Sequence, residues 1–140
     1  MDMKLELVLI PVTDVDRAKA FYVEKAGFNL DVDHRASDAF RVVQMTPPGS
    51  ACSVTIGIGI TDATPGSVRG VHLVVTDIDA ARAELVGRGV DVSEVRHFAS
   101  GAWAPGSDPE HRDYASFADF ADHDGNTWVL QEVRRGGAGA

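Results

Sequence analysis

The chain has 140 residues, 44% of them hydrophobic and 24% charged, with a formal net charge of −8. That bounds it to one compact domain or two half-size modules, and the acidic balance excludes a nucleic-acid surface built on clustered Lys and Arg. No run of about 18 apolar residues is present to span a membrane, the N-terminus MDMKLELVLI reads as a strand rather than a signal peptide, and the lone Cys52 excludes an internal disulfide and fits a reducing cytoplasm.

Residues 5–12 (LELVLIPV) are rich in β-formers and predict the first strand. Asp14 is a good N-cap for a helix over 15–25, with Val15, Ala18, Phe21 and Tyr22 spaced for one buried stripe and Gly27 placed to stop it. Strands follow over 28–34, 39–46 and 52–59, the last two separated by Pro47-Pro48-Gly49. Residues 60–69 (ITDATPGSVR) read as a linker between a first module, 1–59, and a second, 70–133.

The second module repeats the order. A strand over 70–76 leads into a helix capped by Asp77 and stopped near Gly87–Gly89, and a short strand is expected over 91–97. Residues 98–112, with Gly101, Pro105, Gly106 and Pro109, read as a long loop. Strands over 114–121 and 127–133 flank the turn Asp122-His123-Asp124-Gly125-Asn126. The tail 134–140 (RRGGAGA) lacks apolar residues and is expected to be disordered.

The two halves share more than an order of elements. LIPVTDVDRAKAFY at 9–22 returns as HLVVTDIDAARAEL at 72–85, with V-T-D-[VI]-D at Val12–Asp16 and at Val75–Asp79 and a constant offset of 63. This predicts an α+β fold of two βαβββ modules. Together they would form a curved, cup-shaped mixed sheet with the helices outside and a concave face inside.

The paired βαβββ units, Phe21-Tyr22, Gly27-Phe28 and D-x-D-G-N at 122–126 make residues 4–133 resemble the vicinal oxygen chelate superfamily. That group holds glyoxalase I, extradiol dioxygenases, and fosfomycin- and bleomycin-resistance proteins. The resemblance implies metal ligands on the first and last strands of each module. Counting along its motifs lands on Leu7, Gly70, Val129 and, by the best alignment, Thr55. The first three offer no side-chain donor and Thr55 a poor one, so neither a metal nor any other cofactor is expected.

A cup without a metal keeps a concave apolar interior suited to a small molecule. Alternation from the implied ligand positions gives the lining Leu7, Leu9, Phe40, Val42, Gln44, His72 and Val129; His97, Phe98, Trp103, Tyr114 and Phe117 come from the strand end and loop of the second module. His72 is open to three interpretations: a ligand contact, a core histidine or a displaced metal ligand. Trp128, next to Val129 on the opposite face, is expected to pack on a helix, and His111 to lie in solvent. The chain is closest in character to metal-free bleomycin-resistance-type proteins, which implies sequestration of an antibiotic or other aromatic natural product by a cytoplasmic homodimer, with no nucleic-acid or membrane partner and no catalytic residue. The alternative is a glyoxalase-like lyase or isomerase, or a dioxygenase, using His72 or an atypical metal site.

Overall fold

A computed structural model describes residues 1–134 of the chain. It divides into two compact units: unit 1 holds Met1–Val68 together with Asp122–Asn126, and unit 2 holds the rest of the described chain. The fold class is α+β, with a βαβββ order in the first half and the same order with one added strand in the second. Beyond Arg134, the tail expected to be disordered lies outside the described residues.

Unit 1 contains β1 (Leu7–Leu9), α1 (Val15–Ala20), β2 (Asn29–Ser37), β3 (Phe40–Thr46) and β4 (Ser53–Ile58). Their sheet order is β1-β4-β3-β2, with β1 parallel to β4 and the other pairs antiparallel. The Asp14 side chain accepts from Arg17 N and starts α1. The helix does not run on to residue 25 in α geometry. It widens into a π-helical turn over Phe21–Lys25, closed by Ala26 N donating to Phe21 O, before Gly27 turns the chain at φ 82. That turn buries Phe21 and Tyr22 side by side, edge to face at 5.1 Å.

Alternation then fixes the two faces of the sheet. Val43, Met45, Val54 and Ile56 are buried on the α1 side. Arg41 shares that face, holds Asp33 through Nε and Nη2, and reaches Asp16 of α1 through Nη1 at 2.7 Å. Arg41 and then Lys19 hold the Asp33 carboxyl well below the usual carboxylate range. A carboxylate with a depressed folded-state pKa stabilises the fold above its unfolded pKa, and that contribution disappears as pH falls through the folded value. Thermal stability is therefore expected to decline below about pH 4, and Asp33→Asn, less stable at pH 7, should show a shallower acid decline in melts between pH 7 and pH 2.

Unit 2 contains β5 (Val71–Val75), α2 (Ile78–Gly87), β6 (Arg96–Ala99), β7 (Ala102–Pro105), β8 (Ser116–Ala121) and β9 (Thr127–Glu132). The order β5-β9-β8-β6-β7 repeats the unit 1 pattern, with its first strand parallel to its last, and adds β7 at the edge. Asp77 accepts from Ala80 N, so the same aspartate of the repeat caps each helix. A second carboxylate completes the α2 terminus. Glu132, fully buried, accepts from Ile78 N at 2.9 Å and from His111 Nδ1 at 3.0 Å. His111, expected in solvent, thus ties the 106–114 loop to the end of β9.

The expected loop 98–112 begins as a hairpin. Ala99 and Ala102 pair across Ser100-Gly101, whose φ values of 54 and 78 are those of a two-residue type I′ turn. Phe98 and Trp103 are cross-strand partners in it. Trp128 is buried and stacked on Phe120 at 6.1 Å, on the same face as Leu130 and Glu132, against which α2 packs.

The turn between β8 and β9 belongs to unit 1. Asp122 Oδ2 accepts from Tyr22 OH at 2.7 Å and from Asn126 Nδ2 at 2.8 Å, while its Oδ1 accepts from Asp124 N and Asn126 N. Asn126 donates to Pro11 O and accepts from Val68 N. Thr13 donates to Asp124 from both its backbone N and its hydroxyl. Gly66 is required here: at φ +82, a Cβ on it would lie 2.1 Å from Asp124 O.

Candidate functional site

The free face of the unit 1 sheet, opposite α1, gathers five residues expected to line a pocket. Leu7, Leu9, Phe40, Val42 and Gln44 alternate with the buried residues of their strands and all lie on that face. Leu9, Thr55, Gln44 and Val32 are successive cross-strand partners and form one row across it. His34 partners Val42 in the next row. Ser53 also points this way, bonded to Thr46 and, at 3.4 Å, to the Gln44 amide.

Thr55 is the unusual member of that row. Its side-chain oxygen is buried and, among the described residues, is the one buried side-chain N or O atom without a hydrogen-bond partner. Such a group costs about 1–3 kcal/mol relative to a satisfied one.

The free face of unit 2 is aromatic. Trp103 is edge to face with Phe98 at 5.2 Å and with Phe117 at 5.4 Å. The Arg96 guanidinium lies over the indole at 4.9 Å and is held there by Asp119 through a 2.8 Å ion pair. Trp103 stays 54% exposed and Phe98 52%, so this cluster is assembled but uncovered within the chain. Val129 and Phe117 share the face, and His72 is the cross-strand partner of Val129. Tyr114 precedes β8 at φ 67, half-exposed, and its carbonyl accepts from Gln131 Nε2.

His97 is placed apart from these residues. It alternates with Phe98 along β6, so both cannot face the same side. Its ring is buried on the α2 side and its Nδ1 bonds Gly106 O at 2.8 Å, which anchors the chain leaving β7. His72 is exposed and its Nδ1 donates to Gly70 O at 2.7 Å. The neutral ring then presents Nε2 as an acceptor.

The strand register tests whether these residues fit a metal of the kind the resemblance implies. Leu9 partners Thr55 in unit 1, and His72, at the repeat offset of 63, partners Val129 in unit 2. Thr55 and Val129 are therefore equivalent positions, as are Leu7 and Gly70. Among the described residues, no group of three or more His, Cys, Asp or Glu is arranged to hold a metal. The donor set does not fit a divalent cation with oxygen and nitrogen ligands. No helix among the described residues is long and apolar enough to cross a membrane.

Comparison with known proteins agrees with this architecture. A family model for glyoxalase superfamily proteins matches residues 2–97. Curated proteins gave no match. Among solved structures, the chain is similar to TnmS3, an antibiotic binding protein from Streptomyces sp. CB03234, at 33% identity over 94% of this chain and 96% of that one, with a TM-score of 0.73. It is also similar to a glyoxalase/bleomycin resistance protein from Streptomyces sp. CB03234, at 33% identity over 92% of this chain and 100% of that one, TM-score 0.70. A member of the glyoxalase/bleomycin resistance protein/dioxygenase superfamily from Sphaerobacter thermophilus matches at 28% identity over 94% of this chain and 98% of that one, TM-score 0.71. With the repeated βαβββ order, the helix-capping aspartates and these matches together, the chain belongs to the glyoxalase superfamily, also known as the vicinal oxygen chelate superfamily.

Proposed function

We propose that this chain is a metal-independent binding protein that sequesters an aromatic antibiotic or related natural product. The observation that carries this reading is the uncovered aromatic cluster of unit 2, in which Trp103, Phe98 and Phe117 are pre-assembled and more than half of Trp103 remains open. Ordering such side chains before binding removes part of the entropic cost of stacking a flat ligand on them. The similarity to TnmS3, an antibiotic binding protein, supports the ligand class. The lack of fitting donors at Leu7, Gly70, Val129 and Thr55 supports binding without a metal.

The same reading makes the protein a cytoplasmic homodimer. Its support is β2, an edge strand exposed along all nine residues, which a second copy could cover.

Titration with a panel of flat aromatic antibiotics, followed by tryptophan fluorescence, tests the proposal. At least one compound is expected to bind with micromolar or better affinity, unchanged by a chelator, and to be recovered chemically intact. Conversion of the bound compound, abolished in His72→Ala, would overturn sequestration and support a lyase or isomerase. The exposed Nε2 of His72 is the feature such chemistry would use.

A further inference from the structure

We infer that the Thr55 hydroxyl is a recognition point for a neutral oxygen group, a hydroxyl or carbonyl, on a small molecule bound at the free face of the unit 1 sheet. This rests on the small-molecule reading above but on unit 1 alone. A buried hydroxyl without a partner is rare, and one in a native structure calls for an explanation. Thr55 Oγ1 is such an atom, on a residue only 3% exposed.

Its position supplies that explanation. Thr55 sits between Leu9 and Gln44 in a row that ends at Val32, and none of these four side chains ionises. What flanks the hydroxyl is adjustable. Leu9 is 37% exposed, and among the described residues the Gln44 amide is held only by a long 3.4 Å bond to Ser53. A small shift of Gln44 would open the hydroxyl to an arriving group and leave the amide beside it as a second donor or acceptor. A row without charge matches a neutral partner better than a carboxylate or an ammonium, which would be desolvated there without a counter-ion.

A structural role and a recognition role predict opposite behaviour on replacing Thr55 by the isosteric valine. If the hydroxyl waits for a ligand, the free Thr55→Val protein should melt about 2–4 °C higher, because an unsatisfied polar atom has been removed. Its discrimination between oxygenated and plain ligands should collapse. The probes are 1-naphthol and 1-methylnaphthalene, similar in shape and differing in the hydroxyl, titrated by NMR into protein with labelled methyl groups.

The wild type is expected to prefer 1-naphthol by several-fold more than Thr55→Val does, and Thr55→Ser to keep the preference. Equal preference in wild type and Thr55→Val would overturn the inference while leaving the antibiotic-binding reading to its own titration. A lower melting temperature for Thr55→Val would overturn it too, because the hydroxyl would then already be satisfied by a trapped water. If neither probe shifts the unit 1 methyl signals, the free face is not a binding surface and the inference falls.

Discussion

Asn126→Ala is expected to lower stability by about 2–4 kcal/mol, seen as a fall of roughly 10 °C in melting temperature. Asn126 is fully buried, and its amide donates to Pro11 O and Asp122 Oδ2 while accepting from Val68 N. Truncation takes from Val68 N its side-chain acceptor and leaves Pro11 O with the Gly66 N donor alone, two backbone groups from distant parts of unit 1. It also deprives the buried Asp122 carboxylate of one of the donors that make its burial tolerable. Asn126→Asp separates shape from hydrogen bonding. The aspartate fills the same space and can still accept from Val68 N, but it cannot donate to Pro11 O and sets a second carboxylate beside Asp122. It should be at least as damaging as alanine at neutral pH and should recover part of the loss as the medium is acidified. Equal stability of all three proteins by chemical denaturation would show that the turn contributes little.

The second large effect is expected on binding. Trp103→Ala should weaken association with the aromatic antibiotic that binds best by about 1–3 kcal/mol, the scale of losing a large stacking contact. Ligand-induced quenching should disappear with it. Stability should change little, since Trp103 is more than half exposed in the free chain. Trp128→Phe makes the opposite pair of expectations. Trp128 is 1% exposed and stacks on Phe120, so removing part of its ring system should cost about 1–3 kcal/mol of stability. Affinity and quenching should persist. Loss of quenching in Trp128→Phe but not in Trp103→Ala would remove the aromatic cluster of unit 2 from the binding role proposed for it.

Much of the architecture was legible because it is local and written twice. The V-T-D-[VI]-D repeat told where each strand ends and each helix begins, and both aspartates cap as their position suggests. Alternation around Leu9, Val42 and Gln44 identified one face of a sheet without any knowledge of its neighbours. Alternation along β6 also separates His97 from Phe98, but the glycines and prolines of 98–112 read as an irregular loop and hide the strand that carries both. Ser100-Gly101 is the sign of the hairpin, but its strands are four residues each and end at Pro105, too short to show a period. Glu132 was out of reach for a different reason. At the end of a strand, next to Gln131, it looks like a solvent residue. Only the return of α2 and the 106–114 loop around it turns it into a buried cap.

The ownership of residues 122–126 bears on how the chain is made. Tyr22 and Asp122 are 100 positions apart, and Thr13 and Asp124 are 111 apart, yet both pairs belong to unit 1. During synthesis, the first 68 residues emerge with the sequence of a whole module but without the piece that satisfies Tyr22, Pro11 and Val68. That module cannot reach its final state until Asp122–Asn126 has been added. Unit 1 therefore stays incomplete until β8 of the other unit has been synthesised. A gene cut at the linker would yield a repeat unit in name only. What looks in the sequence like two interchangeable halves must be completed as one piece.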